Sequence, residues 1–144
     1  RQLVEEGDVG LEQALGQLKA LKITNSMSLL EAGAERADRL KLSAQAGVQL
    51  ELLDDLVQRA DVSRLPYTSG GAVKRLWAMG YRSLEGLRST TEEEYSRRVK
   101  AYFDAGGKGT TFDAQPANIQ SFLQDTRHAA VVLDTALDEV LDVA

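Results

Sequence analysis

"LWAMGYRSLEGLRST", residues 76–90, runs a helix into a glycine, turns on one aromatic residue and restarts behind a hydroxyl. Gly80 is a natural stop, because glycine takes the left-handed conformation that ends a helix at little cost. Ser83 is the expected N-cap of a short helix carrying leucines. Earlier in the chain, "LKALKITNSMSLLEAG", residues 18–33, follows the same plan. Ile23 stands where Tyr81 does, Asn25 or Ser26 caps, and Gly33 stops the short helix. The two stretches lie about sixty residues apart with a one-residue offset. Physically, each reads as the second half of a helix-hairpin-helix: a helix end, an apolar plug for the core, a new helix.

Outward from these corners, nearly every segment has helical period. "LEQALGQLKALK" puts Leu11, Ala14, Leu15, Leu18 and Leu21 on one face at spacings of three and four. "ERADRLKLSAQAG" places Ala37, Leu40 and Ala44 in step and ends at Gly47. "VQLELLDDLVQRADV" continues with Leu52, Leu53, Leu56, Val57 and Ala60. Pro66 and Gly70-Gly71 then mark a break, after which "AVKRLWAMG" is a short helix. "TTEEEYSRRVKAYFDAGG" opens with a capping box from Thr91 to Glu94 and buries Tyr95, Val99 and Tyr102 or Phe103. Glu92, Glu93 and Glu94 match the positive end of that helix. Pro116 opens a last helix, with Ile119, Phe122 and Leu123 apolar, continuing through Val131, Leu133, Leu137, Val140 and Leu141.

No strand is expected. The fold class predicted is all-α: a bundle of short helices with two helix-hairpin-helix-like units and a longer C-terminal helix. The expected organisation is a first unit over 1–62, a second unit and following helix over 63–112, and an amphipathic C-terminal helix over 113–144. One shared core is expected, since each unit is too short to bury its own leucines.

"YFDAGGKGTTF", residues 102–112, resembles a phosphate-binding loop in composition only. Gly109 follows Gly107-Lys108 where the magnesium-binding hydroxyl belongs, Tyr102 occupies the first glycine position, and the segment before it reads as helix rather than strand. The expected reading is a helix C-cap and a flexible link.

The chain of 144 residues is 43% hydrophobic and 27% charged, without cysteine and with one histidine, His128. This removes disulfides, thiolate zinc sites and most histidine-based chemistry. His128 sits in a helical segment, where a lone histidine is structural or solvated. No apolar stretch is long enough to span a membrane, and a cytoplasmic location is expected. With no initiator Met and no signal-peptide pattern, a trimmed fragment is expected. The net charge of −5 is uneven. Residues 1–58 carry 6 basic and 10 acidic side chains, residues 59–100 carry 9 and 5, and residues 101–144 carry 2 and 7. The basic middle is either a phosphate-facing surface or a set of solvated helix faces.

Residues 28–89 resemble the bacterial domain of unknown function 4332. The features that match are Gly33-Ala34 after a short helix, the Gly47-Val48 break, a helix ending Arg59-Ala60-Asp61, and a hairpin followed by Leu76, Gly80, Tyr81, Ser83 and Leu84. "PANIQSFLQDTRHA", residues 116–129, resembles the closing helix of that family. The resemblance runs from about Leu11 to Ala129 and implies tandem, partly degenerate helix-hairpin-helix units. A working hairpin of this type carries Gly-apolar-Gly, so that backbone N–H groups and a helix N-terminus hold a DNA phosphate. Tyr67, Thr68 and Ser69 occupy those positions here, and the first hairpin, "EEGDVGLEQ", is acidic.

The second hairpin keeps the ingredients of an anion site. The candidates are the hydroxyls of Thr68 and Ser69, the Gly70-Gly71 pair, Lys74 and Arg75, with Arg64, Arg82, Arg97 and Arg98 around them. Lys100 lies on the same helix as Arg97 and Arg98. Trp77 is either a base-stacking platform or packing. The expected function is a non-catalytic module that binds a protein partner. The alternative is weak, sequence-independent nucleic-acid binding through phosphates. No nucleophile-base pair or metal-ligand spacing supports an enzyme, and no cofactor or metal is expected. The C-terminal helix packs on the body or pairs with a second copy.

Overall fold

The computed structural model describes residues 3–66, 68–109 and 114–133, and is helical throughout. Among the described residues eight helices run in order: α1 (Val9–Ala20), α2 (Ser26–Gly33), α3 (Arg36–Ala46), α4 (Leu50–Ser63), α5 (Gly70–Ala78), α6 (Leu84–Ser89), α7 (Glu92–Asp104) and α8 (Pro116–His128). The described residues include no strand.

The helix ends follow backbone chemistry that the sequence announces. Asp8, Asn25, Ser69, Ser83 and Thr91 each accept a hydrogen bond from an N–H of the first turn that follows. At α2 the cap is reciprocal, Asn25 with Ser28. At α7 it is one-sided. Thr91 accepts from the Glu94 N–H, but the Glu94 carboxylate turns to Arg97 and Arg98, so the expected capping box is only half formed.

Four helices, α1, α3, α5 and α7, close in the same manner. A residue of positive φ (Lys22, Gly47, Gly80, Gly106) is followed by an N–H that reaches back to a carbonyl of the last turn. Ile23 reaches Leu18 at 3.1 Å, Val48 reaches Ser43 at 3.1 Å, Tyr81 reaches Leu76 at 2.9 Å and Gly107 reaches Tyr102 at 2.9 Å. This is the Schellman arrangement, which satisfies carbonyls the helix leaves open. Gly106 and Gly107, before Lys108, are therefore a helix cap. The corners at 18–33 and 76–90 match without the expected one-residue offset: Leu18, Lys22, Ile23 and Asn25 correspond to Leu76, Gly80, Tyr81 and Ser83 at constant spacing.

One face was misread. Leu40 is 47% exposed and Ala37 and Ala44 are exposed, whereas Arg39 is only 3% exposed. The α3 helix turns Arg39 inward because α2 ends without a left-handed cap. The Arg39 guanidinium donates to the carbonyls of Gly33 and Ala34 at 2.9 and 3.0 Å, and its Nε lies 3.1 Å from Asp54. Buried carbonyls need partners more than Leu40 needs burial. Gly33 itself allows close approach: a Cβ there would stand 2.9 Å from a Val57 methyl on α4.

The buried apolar side chains form two clusters. One gathers Leu11, Leu18, Leu29, Leu42, Leu53 and Leu56 with neighbours from α1 to α4. The other gathers Leu65, Val73, Leu76, Trp77, Leu87, Tyr95 and Leu123 from α5 to α8. They meet along α4, whose Ala60 belongs to the first and Val62 to the second. Whether they melt as one core is a thermodynamic question, decided by what ties them together.

The last helix is shorter than its apolar pattern suggests. It ends at His128, Ala129 is extended, and Val131 is exposed while Leu133 is buried in the first cluster. The α8 carbonyls are taken instead by arginines. Arg88 donates to Thr126 at 3.0 Å and to Ala129, and Arg64 donates to Ala130. Leu137, Val140 and Leu141, and the expected self-pairing of the final stretch, lie outside the described residues, as does Tyr67.

Candidate functional site

The hairpin between α4 and α5 begins where Arg64 and Leu65 tighten the end of α4, donating to Asp61 and Val62. Leu65 plugs the second cluster, and the Thr68 N–H returns to the Leu65 carbonyl at 3.2 Å. The Thr68 hydroxyl donates to Pro66 at 3.2 Å, and Ser69 Oγ accepts from the Ala72 N–H at 3.4 Å. Both candidate hydroxyls are thus engaged by the hairpin's own backbone. Gly70 and Gly71 begin α5, two residues before its expected start. Around Gly71 the space is open, a Cβ meeting only Ser69 Oγ at 3.8 Å. The fold itself does not require glycine at that position.

Lys74 and Arg75 follow on α5, both half-buried. Arg75 lines a cleft of about 270 Å³ with Pro66, Thr68 and Ala72 on one side. Asn118, Ser121 and Asp125 of α8 face them, and Tyr95 and Phe122 complete the lining. The six candidates Thr68, Ser69, Gly70, Gly71, Lys74 and Arg75 run from the hairpin into α5, Arg75 reaching its last turn.

Of the remaining candidates, Arg64 opens the hairpin, and Arg82, Arg97 and Arg98 lie elsewhere. Arg82 follows the C-terminal end of α5, and Arg97 and Arg98 lie on α7; Arg75 itself stands in the last turn of α5. Arg98 donates to the Met79 carbonyl at 3.3 Å and stacks 4.6 Å from the Tyr81 ring centre. Arg97 and Arg98 both bind Glu94, with Nε–Oε distances of 3.0 and 2.9 Å. Those two guanidinium hydrogen bonds hold the Glu94 carboxyl down to about 2, from an ordinary 4.5, and Glu94 in turn raises Arg97. Lys100 pairs with Asp104 at 2.5 Å. Arg64 donates to Asp61 at 2.6 Å and to the end of α8. Arg82 is exposed.

Trp77 is packing, only 2% exposed. Its indole N–H donates to Asp55 at 2.7 Å, and Arg59 lies 5.1 Å from the ring centre. Asp54 and Asp55 diverge as neighbours on a helix must, one to Arg39 and the other to Arg59 and Trp77. His128 is exposed, its Nδ1 within 2.8 Å of the Gln124 carbonyl. Among the described residues, no group of His, Asp and Glu is placed to hold a metal ion. No described helix is long and apolar enough to cross a membrane.

The sequence reading missed the inward roles of Arg39, Arg59 and Arg88. For two of them the structure gives the reason: α2 and α8 end without a left-handed residue, so their carbonyls need donors from elsewhere, although Gly33 signals a glycine cap for α2. Which arginine arrives is not written locally.

No curated protein matches the chain, and no solved structure does. One family profile covers residues 10–122, from the second residue of α1 to the middle of α8, and so takes in both corners and the hairpin. By that match the chain belongs to the family described as domain of unknown function (DUF4332).

Proposed function

We propose that this chain is a non-catalytic, helix-hairpin-helix-type module that binds a protein partner. The observation that supports this reading is where the basic side chains of the middle segment are used. Arg64 and Arg88 serve the end of α8, Arg97 and Arg98 serve Glu94, and Arg59 serves Asp55 and Glu5. A phosphate surface needs such cations turned outward and clustered. A groove of about 410 Å³, lined by Leu15, Ile23 and Leu29 together with Glu12, Lys19 and Asn25, offers partner side chains a place on the first unit.

A second reading keeps one observation of its own. At the hairpin end, Gly71 stands in open space in the first turn of α5, and Lys74 and Arg75 follow on the same helix, which suits weak phosphate contact. Fluorescence anisotropy of labelled duplex and single-stranded DNA separates the two readings. The protein is titrated at several salt concentrations beside a Lys74→Glu/Arg75→Glu variant. The protein-binding reading expects no binding even at low salt. Binding that weakens steeply with salt and disappears in the variant would give the hairpin to nucleic acid.

A further inference from the structure

Between the two clusters, helix contacts run chiefly through α4, against α5 and α6. Two segments outside the helices add a second connection. Leu3 packs on the second cluster, while its neighbour Val4, 4% exposed, belongs to the first. Arg59 fixes this crossing: Nη1 donates to the Leu3 carbonyl at 2.7 Å and to Glu5 at 2.9 Å. The same guanidinium bonds Asp55 at 3.1 Å and lies over Trp77 of the second unit. In the other segment, the chain leaves α8 of the second unit, is held at Ala129 and Ala130 by Arg88 and Arg64, and buries Leu133 in the first cluster.

We propose that these two segments, Leu3–Glu5 and Ala129–Leu133, are straps that make the two units unfold as one body. Each strap places consecutive or near-consecutive residues in different clusters, so neither cluster loosens without pulling on the other. A helix shared at one edge lacks that property, since its last turns can fray with one cluster while the rest stays folded.

Hydrogen exchange with peptide-resolved mass spectrometry, run across a urea series on the whole chain, reads α1–α2 and α6–α8 separately. In the native chain both lose protection at one midpoint. In Leu3→Ala/Glu5→Ala/Leu133→Ala the midpoints separate, and thermal melts split by about 5 °C or more. Leu42→Ala on α3 is the control: it weakens the first cluster without removing a strap side chain, and both halves must shift together. Separate midpoints in the native chain, separate midpoints in the control, or a single midpoint in the triple variant each overturn the proposal.

Discussion

At the first corner α1 hands over to α2 through Lys22 and Ile23; at the second, α5 hands over to α6 through Gly80 and Tyr81. The backbones agree. Both turn residues have positive φ, 65° and 92°, and both plugs reach back to a carbonyl of the preceding helix's last turn. The side chains do not. A lysine pays the left-handed penalty where the second corner has glycine. Ile23 is half-buried, whereas Tyr81 is 3% exposed, lies 5.5 Å from Tyr95 and shares a 2.8 Å hydrogen bond with Thr90. The corner is thus specified by the returning N–H and by a plug. Glycine lowers its cost without being indispensable.

The comparison breaks most visibly through the leucines beneath each corner. Leu29 and Leu87 occupy equivalent places and are 5% and 0% exposed. Leu29→Ala and Leu87→Ala are each expected to cost about 2–5 kcal/mol in urea unfolding. A near-zero cost for one would mean the corners are not equivalent supports.

The turn residues sharpen it. Gly80→Ala is expected to cost about 1–2 kcal/mol, because alanine must hold a left-handed conformation. Its Cβ would also stand 3.2 Å from Arg98 Nη1. Lys22→Gly should stabilise, by less than about 1 kcal/mol once glycine's greater freedom when unfolded is subtracted. Equal and same-signed effects in thermal melts would contradict the equivalence of the two positions.

The smallest effect is one of acid sensitivity, and it belongs to the second corner alone. Glu94 titrates at about 2 when folded against an ordinary 4.5, because Arg97 and Arg98 bind its charged form. A lowered folded value means its stabilisation is whole above 4.5 and fades as pH falls toward 2. Glu94→Gln should flatten stability against pH across that window, compared with the native chain by denaturant titration. An unchanged slope would show that the pair contributes nothing at this exposed site.

Much of this was legible locally. Asn25, Ser83 and Thr91 announced helix starts, Gly47, Gly80 and Gly106 announced stops, and the spacing of Leu11, Ala14 and Leu18 gave the buried face of α1. These signals work because a cap or a helical stripe is complete within a few residues. The same locality explains the failures. Leu40 looked like core and Arg39 like surface, since periodicity counts apolar atoms and not the orphan carbonyls of another helix. The apolar run after His128 looked like more helix, although Arg64 and Arg88 close α8 there. The candidate arginines looked like one group in a basic stretch, yet Arg64 turns to Asp61 and the end of α8, and Arg97 and Arg98 turn to Glu94.

By itself, then, the sequence determined that the chain is all-helical, where most helices begin and end, and that one corner is used twice. Tertiary structure alone decided which cations meet water and which meet the protein. It also decided that Arg59 joins an N-terminal carbonyl to Trp77, and that Leu133 returns to the first cluster. The physical reason is range. Helix propensity and capping act within one turn of chain, while a buried guanidinium finds partners dozens of residues away, chosen by whichever carbonyls and carboxylates folding leaves unpaired.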